Sequence, residues 1–333
     1  MRVGMNPQKY ENKIVLKSSH RIIIVVFIPN DNDYYKNIFE VFKLCLTSVQ
    51  NTINDFAKIT IVNNGCHESI TRYINKEHFN DRIDCVIHHS VNIGKMDALI
   101  GAARGSREPL ITLTDVDILF ESGWQKAVEK LFHKIPQTGS VSPISVRTCL
   151  HYGTSSTLKD ILLRKILFKW TPLPNNFYSH NRFLASFGQS VDLNDQVKWP
   201  VIEVNKTKAL LGSSHQVMTV RRSILFSTVP EAPSLTLVGN NSEENYIDNP
   251  VNRAGFYRLS TAKNFAHHMG NQTEKWMYDI QKKNIETEVD YKSKFILKGK
   301  SKKINNVVFN LRNRIYIKLF KIFYKSEEYK KNK

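Results

Sequence analysis

The sequence predicts an α/β protein built on a mostly parallel, Rossmann-like central sheet flanked by helices. Two observations carry this. Short apolar runs rich in β-branched residues alternate with segments of helical period four times between residues 21 and 114, and a polar turn cluster closes the strands in succession. A third observation bounds it: 333 residues, 41% hydrophobic and 23% charged, are ample for a sizeable core and exclude a disordered or collagen-like chain.

Residues 1–20 are polar, without period, and read as a lead-in. Ile22 to Ile28 is β-branched except for Phe27 and reads as a buried strand, stopped by Pro29-Asn30-Asp31-Asn32-Asp33. Ile38, Val41, Phe42, Cys45, Leu46 and Val49 then share one helical face. A short strand from Lys58 to Val62 is stopped by Asn63-Asn64-Gly65 and followed by a helix around residues 69–76. The third strand is Asp84 to His88, and after Asn92-Ile93-Gly94 a helix of small residues runs from Lys95 to about Arg104. The fourth strand, Leu110 to Leu113, ends in Thr114-Asp115-Val116-Asp117. A later strand near Leu259 to Ala262 precedes His267 and His268.

Composition excludes several classes. Cys45, Cys66, Cys85 and Cys149 are scattered, which suggests neither a disulfide framework nor a zinc knuckle and fits a reducing cytoplasm. The longest apolar run, Ile22 to Ile28, is far short of the roughly 20 residues that cross a bilayer, and no signal-peptide pattern precedes it. The formal charge is +18, but from Tyr291 to Lys333 there are fourteen Lys or Arg against two acids, so two thirds of the excess sits in one tail. A nucleic-acid enzyme spreads its basic residues along a groove and carries aromatic-basic recognition motifs; none is present, and no nucleic-acid partner is expected.

In that tail Ile304, Val307, Val308, Leu311, Ile315, Leu319, Ile322 and Phe323 fall on one side at 3.6 residues per turn. Arg314, Lys318, Lys321 and Lys325 line a flank, and Phe309, Tyr316 and Phe320 widen the apolar face. The reading is a basic amphipathic helical extension lying on an anionic membrane surface; the alternative is a helix packed on the body with solvated lysines. Leu158 to Trp170, with Ile161, Leu162, Lys165, Ile166 and Lys169, reads as a second basic amphipathic segment. Together they place the protein in the cytoplasm at the inner face of the membrane.

In open sheets of this kind ligands sit at the carboxyl ends of the strands, and four polar clusters fall there: Asn30 to Asp33, Asn63 to Gly65, Asn92 to Lys95, and Asp115 to Asp117. No glycine-rich phosphate loop of either common pattern is present. Asp115-Val116-Asp117 is the candidate in its place: two carboxylates leaving an apolar strand can share Mn2+ or Mg2+ with phosphate oxygens. By itself such a pair is as readily a turn or a helix cap.

Over roughly residues 21–275 the chain resembles the family 2 glycosyltransferases, enzymes of the GT-A fold. The matching pieces, in order and spacing, are VVFIPNDND, IVNNG, NIGKMDALIGAARG, LTDVD, SEENYIDNPVNRAGFYRL and AHHMGN. The resemblance implies transfer of a sugar from a nucleotide-diphosphate donor, in the first place a UDP-sugar, to an acceptor hydroxyl of a cell-surface glycan or lipid-linked saccharide, with inversion and a divalent metal. It implies a nucleotide-sugar-binding half at residues 21–120, an acceptor-binding half at 121–275 and the basic extension at 276–333.

Residue by residue, the resemblance puts Asp115 and Val116 on the donor and Asp115 and Asp117 in the metal shell. It puts the nucleobase against Pro29, Asn30 and Asp31 and against Asn63 and Asn64, where many members carry an aspartate. Asn92, Gly94 and Lys95 lie against the nucleotide, with Lys95 toward phosphate. Glu243 and Glu244 fall on the family's E-D pair, whose second acid is the usual base; here it is a Glu, and Pro250 replaces a later arginine. Asp248 is the other candidate for base or acceptor contact. His268, ahead of His267, is the candidate late metal ligand. Trp170, Trp199 and Tyr178 are candidates to stack on sugar faces. Two other classes stay open at this point: a catalytically silent nucleotide-sugar or glycan-binding protein of the same fold, and a basic nucleic-acid-binding protein.

Overall fold

A computed structural model of the chain describes residues 3–10, 14–148, 153–293, 297–299 and 304–324. Cys149 and Lys325 lie outside the described residues.

The expected α/β class and mostly parallel sheet are present. Strand β1 (His20–Val26) lies between β2 (Ala57–Asn64) and β4 (Leu110–Thr114), and β3 (Cys85–His89) flanks β2, all four parallel. Because side chains alternate across a strand, Ile22, Ile24 and Val26 enter the core on one face while Ile23 and Val25 enter the core on the other. A run without polar positions is thus what a doubly covered strand requires. Each such side chain contributes roughly 1.5–3 kcal/mol on burial.

The helices divide between the two faces by the same logic. Helix α1 (Ile38–Thr52), α2 (Glu68–Phe79) and α4 (Trp124–Lys134) bury Phe42, Leu46, Ile74, Val128 and Phe132 on the first. Helix α3 (Lys95–Gly105) buries Met96, Leu99 and Ala103 on the second, where its small residues bring it close to the sheet.

Beyond β4 the order continues with β10 (Val217–Arg221), β6 (Thr138–Ser142), β11 (Tyr257–Thr261), β9 (Thr207–Leu211), β8 (Lys198–Val204) and β7 (Leu167–Pro172). Strand β10 is antiparallel to β4 and β6, β11 is parallel to β6, and β9, β8 and β7 form an antiparallel end. The chain leaving β4 forms the short β5 (Ile118–Phe120), which pairs with β12 (Ala266–His268) outside the main sheet.

The segment Leu158 to Trp170 is not one amphipathic unit. Helix α5 (Ser155–Leu162) stops at Arg164, whose φ is +54, and the chain returns as β7. Leu158, Ile161 and Ile166 are core residues, while Leu163, Arg164, Lys165, Leu167 and Lys169 are exposed. Trp199 is fully buried, Trp170 is half-buried and donates its indole N–H to the Tyr324 carbonyl at 2.9 Å, and Tyr178 is exposed. The tail forms the expected helix over Asn306–Tyr324, but Phe309 and Phe320 are buried in the body rather than widening an outer face. Among the described residues no helix is long and apolar enough to cross a membrane.

The first strand opens with two ionic clusters, one at His20 and one at Arg21. His20 bridges Glu129 at 2.9 Å and Thr112 at 2.7 Å, and Glu129 also accepts from Tyr291 and Ser293, which fastens the start of the basic tail to the body. Beside it Glu108 accepts from Arg21 at 2.5 Å and Ser18 at 2.7 Å. Burial by itself raises the Glu108 carboxyl, yet these bonds overrule it and hold the group at about 2. A carboxyl depressed by folding contributes stability that is complete above its unfolded pKa of about 4.3 and is lost as pH falls toward the folded value. Glu108→Gln is therefore expected to cost about 2 kcal/mol at neutral pH and to weaken the acid limb of the stability profile. Urea unfolding from pH 7 down to the acid limit checks this; a variant that tracks the wild type throughout contradicts it.

Candidate active site

The carboxyl end of β4 lies mid-sheet, so the residues that follow it are walled by both neighbours. The register pairs Val217 of β10 with Thr114, and Asp115 donates its N–H to the Gln216 carbonyl at 2.9 Å. Directly above, α3 begins at Lys95, whose Nζ stands 2.7 Å from Asp115 Oδ1 and 3.7 Å from Glu243 Oε1. Burial drives the Asp115 carboxyl up, Lys95 pulls it back and Asp117 adds to the rise; the net position is above the ordinary aspartate value. Burial would lower Lys95, but Asp115, Glu243 and Asp117 outweigh it and hold the ammonium more firmly protonated than usual.

Asp117 is set differently. Its carbonyl accepts from Met269 N at 2.8 Å, and the antiparallel β5–β12 pair sets His268 opposite Ile118. His268 Nε2 then stands 3.2 Å from Asp117 Oδ2. The other ring nitrogen of His268 bonds Ser186 Oγ at 2.9 Å, and Phe187 stacks on the ring at 4.7 Å, which fixes its orientation. Asp117 Oδ1 is buried and has no hydrogen-bond partner among the described residues. His267, one residue earlier, points to the opposite side of β12, 2.8 Å from Glu121 and edge-on to Trp276.

The acids after residue 242 separate. Glu243 faces inward, 13% exposed, accepting from Ser242 Oγ at 3.0 Å and reaching Lys95. Glu244 opens a single π turn, Glu244–Asp248, and is exposed, with the Asn249 amide 3.4 Å away. Asp248 is 6% exposed and bridges Arg258 at 2.5 Å and His215 at 3.4 Å. The structure thus brings Asp115, Asp117, Lys95, Glu243 and His268 together, and Asp248 bonds His215, which precedes the β10 residue paired with the end of β4. Glu244 lies at the rim.

The turn residues at the same sheet edge differ in exposure and bonding. Pro29 is half-buried, while Asn30 and Asp31 are exposed. Asn63 and Asn64 are buried, and both amides are engaged: Asn63 bonds Thr71, His88 and the Cys66 N–H, and Asn64 donates to Asn92 Oδ1 at 2.9 Å while accepting from Ile93 N at 3.1 Å. Asn92 Oδ1 also takes the Gly94 N–H at 2.9 Å, so one asparagine pair ties the second and third turns together. Val116 is half-buried between the two acids.

Sequence reasoning missed two neighbours. His215 reaches the acids only because β10 returns antiparallel beside β4, and Tyr34, after β1, lies close enough for its hydroxyl pKa to be raised, first by burial and then by Asp117. Neither position has a local sequence signal.

Among the described residues no group of three or more His, Cys, Asp or Glu is gathered around one point. Asp117 and His268 nevertheless suit a hard divalent cation: an orphaned carboxylate oxygen beside an imidazole nitrogen supplies two ligands, and diphosphate and water can fill the remainder.

No protein-family model and no curated protein matches the chain. Comparison with solved structures finds the mannosyltransferase PcManGT of Pyrobaculum calidifontis in complex with GDP-Man and Mn2+, at 12% identity and a TM-score of 0.40, covering 74% of this chain and 57% of that one. The chain is similar to glycosyltransferase structures. It is also similar to GalNAc-T7 with UDP, GalNAc and Mn2+, at 14% identity and TM-score 0.44, covering 75% of this chain and 43% of that one. A third is S. aureus TarS 1-349 in complex with UDP-GlcNAc, at 11% identity and TM-score 0.42, covering 79% and 64%. The chain therefore spans less than two thirds of the length of each.

The approach of Lys95 to the acids depends on Gly94, whose φ is +97 and whose missing Cβ leaves room for the Thr236 carbonyl. The loop through Thr236 is held there by Lys95 N to Leu237 O at 2.9 Å and by Asp97 accepting from Ser234 N at 2.7 Å. Gly94→Ala is expected to destabilise the fold by about 1–3 kcal/mol and to raise amide exchange at residues 234–238; unchanged stability and exchange contradict the assignment.

Proposed function

We propose that the chain is a metal-dependent inverting glycosyltransferase of the family 2, GT-A kind, moving a sugar from a nucleoside-diphosphate donor, in the first place a UDP-sugar, to a hydroxyl of a cell-surface glycan or lipid-linked saccharide. The observation that carries this reading is the acid pair leaving β4: Asp117 keeps a buried, unpartnered Oδ1 beside His268, while the charge of Asp115 is already balanced by Lys95.

In this reading Asp117 and His268 hold Mn2+ or Mg2+, and Asp115 faces the ribose and the metal shell. When bound, the ion supplies Lewis-acid stabilisation of the leaving diphosphate. Lys95 is the movable charge: its ammonium sits between Asp115 and Glu243 and turns toward a phosphate oxygen when the donor adds its own negative charge. The tied turns at Asn64 and Asn92, with Pro29 to Asp31 on the other side, form the bed for the nucleoside.

Glu244 serves as base. It is exposed at the rim, where an incoming hydroxyl arrives, and must stand within about 3 Å of that oxygen to take its proton. The acceptor oxygen bonds to the anomeric carbon, the bond from that carbon to the diphosphate oxygen breaks, and the proton leaves on the Glu244 carboxylate. Asp248, held by Arg258 and His215, keeps the π turn that carries Glu244 in place. The protein works in the cytoplasm at the inner face of the membrane.

A thermal-shift series of nucleotide sugars with and without Mn2+ tests the reading. One donor is expected to raise Tm only when metal is present, Asp117→Asn is expected to lose that shift, and Glu244→Gln is expected to keep it while lowering transfer or donor hydrolysis by 10²–10⁴-fold. A donor shift indifferent to metal, or no shift with any nucleotide sugar, contradicts it. A metal-dependent shift without turnover in the wild type identifies a binding protein of the same fold instead.

A further inference from the structure

We infer that the outward face of the tail helix, α6 (Asn306–Tyr324), is a docking surface for an anionic lipid bilayer. The inference stands on a different surface from the acid pair and does not depend on the reaction proposed there.

Helix α6 has two apolar faces, and only one is used inside the molecule among the described residues. Phe309 and Phe320 are buried, Tyr316, Ile317 and Tyr324 pack against the same core, and Phe320 and Tyr324 meet Phe168 edge-on at 5.0 and 5.2 Å. The Trp170 indole bonds the Tyr324 carbonyl, and at its start the helix is held by Phe309 under the Arg253 guanidinium. A helix docked along one side in this way is an oriented part of the body.

The second face is turned outward. At 100° per residue Leu311, Ile315 and Ile322 form a stripe a third of a turn or more away from Phe309 and Phe320, with half-buried Leu319 between the two faces. Leu311 is 59% exposed, Ile315 44% and Ile322 58%, and Val307 and Phe323 at its edges are 77% and 70% exposed. Arg314 and Lys318 run along one side of the stripe and are exposed. The α5–β7 segment, whose helix packs against α6, also exposes Leu163 and Leu167 among Arg164, Lys165 and Lys169. Apolar side chains in contact with water, rimmed by cations of a single sign, form the profile of a helix that lies in the headgroup layer.

The charge selects the occupant. The segment from Tyr291 onward carries fourteen basic residues and two acids, so its field is complementary to anionic headgroups. A second copy of the chain is disfavoured by the same fact: an isologous contact through this stripe sets one basic flank near another. An anionic bilayer satisfies both the stripe and its rim.

Flotation of the full chain with phosphatidylcholine vesicles, alone or containing phosphatidylglycerol, tests the assignment. The protein is expected to float with the anionic vesicles, to float poorly with the neutral ones and to be released by salt. Leu311→Ser with Ile315→Ser and Ile322→Ser is expected to abolish flotation, with circular dichroism and Tm confirming that the docked face still holds. Arg314→Gln with Lys318→Gln is expected to weaken the partition on the order of thirtyfold. Equal flotation with both vesicle types, or a folded serine variant that floats like the wild type, overturns the proposal. So does a concentration-dependent dimer in sedimentation that the serine variant abolishes while no vesicle binds.

Discussion

Two like charges at the buried end of one strand are the constraint around which the rest of this molecule is arranged. Asp115 and Asp117 leave β4 one residue apart, in a place where solvent screens them only in part, and each needs its own compensation. For Asp115 the compensation is covalently part of the fold: Lys95 opens α3, Gly94 lets the chain enter that helix at a positive φ, and the ammonium ends within 2.7 Å of the carboxylate. For Asp117 it is incomplete. His268 reaches one oxygen, and the other is buried with no hydrogen-bond partner among the described residues.

The sheet is organised to serve that point. Four parallel strands bring four turns to one edge, and the asparagine pair Asn64–Asn92 makes a rigid unit of two of them. The antiparallel β10 then returns His215 to the same edge, and β12, paired with β5, carries His268 there from far along the chain. The acids at and just before the late π turn take separate places: Glu243 shares Lys95 with Asp115, Asp248 is locked by Arg258, and Glu244 remains on the solvent side. The site thus divides into a fixed, charged interior and an open rim.

Much of this was legible in the sequence wherever the signal is local. The strands and helices from Ile22 to Thr114 are read correctly because burial on both faces leaves an unbroken apolar run, and helical period is a property of a dozen consecutive residues. The acid pair is visible for the same reason. What depends on pairing is not. Nothing in His267-His268 says which ring faces Asp117 until the β5–β12 register is known, and nothing in Glu243-Glu244 says which side chain turns inward until the π turn is seen. Asn63 and Asn64 read as open contacts, yet both are engaged in holding turns. Leu158 to Trp170 has the composition of an amphipathic helix and breaks in two at Arg164. In the tail the outward stripe is legible, but the docked face belongs to Phe309, Tyr316 and Phe320, because the groove that receives them is made by residues distant in sequence.

The central claim is that the acid pair at the end of β4 exists to hold a divalent cation against a diphosphate. The most direct measurement is pulsed electron-nuclear double resonance on Mn2+ added to the protein with UDP, which reads the nuclei bound to the metal. The account predicts coupling to phosphorus from the diphosphate and to nitrogen from His268 on a single bound ion, the nitrogen signal vanishing in His268→Ala. A bound Mn2+ with phosphorus coupling but no protein nitrogen, or with neither, would contradict it.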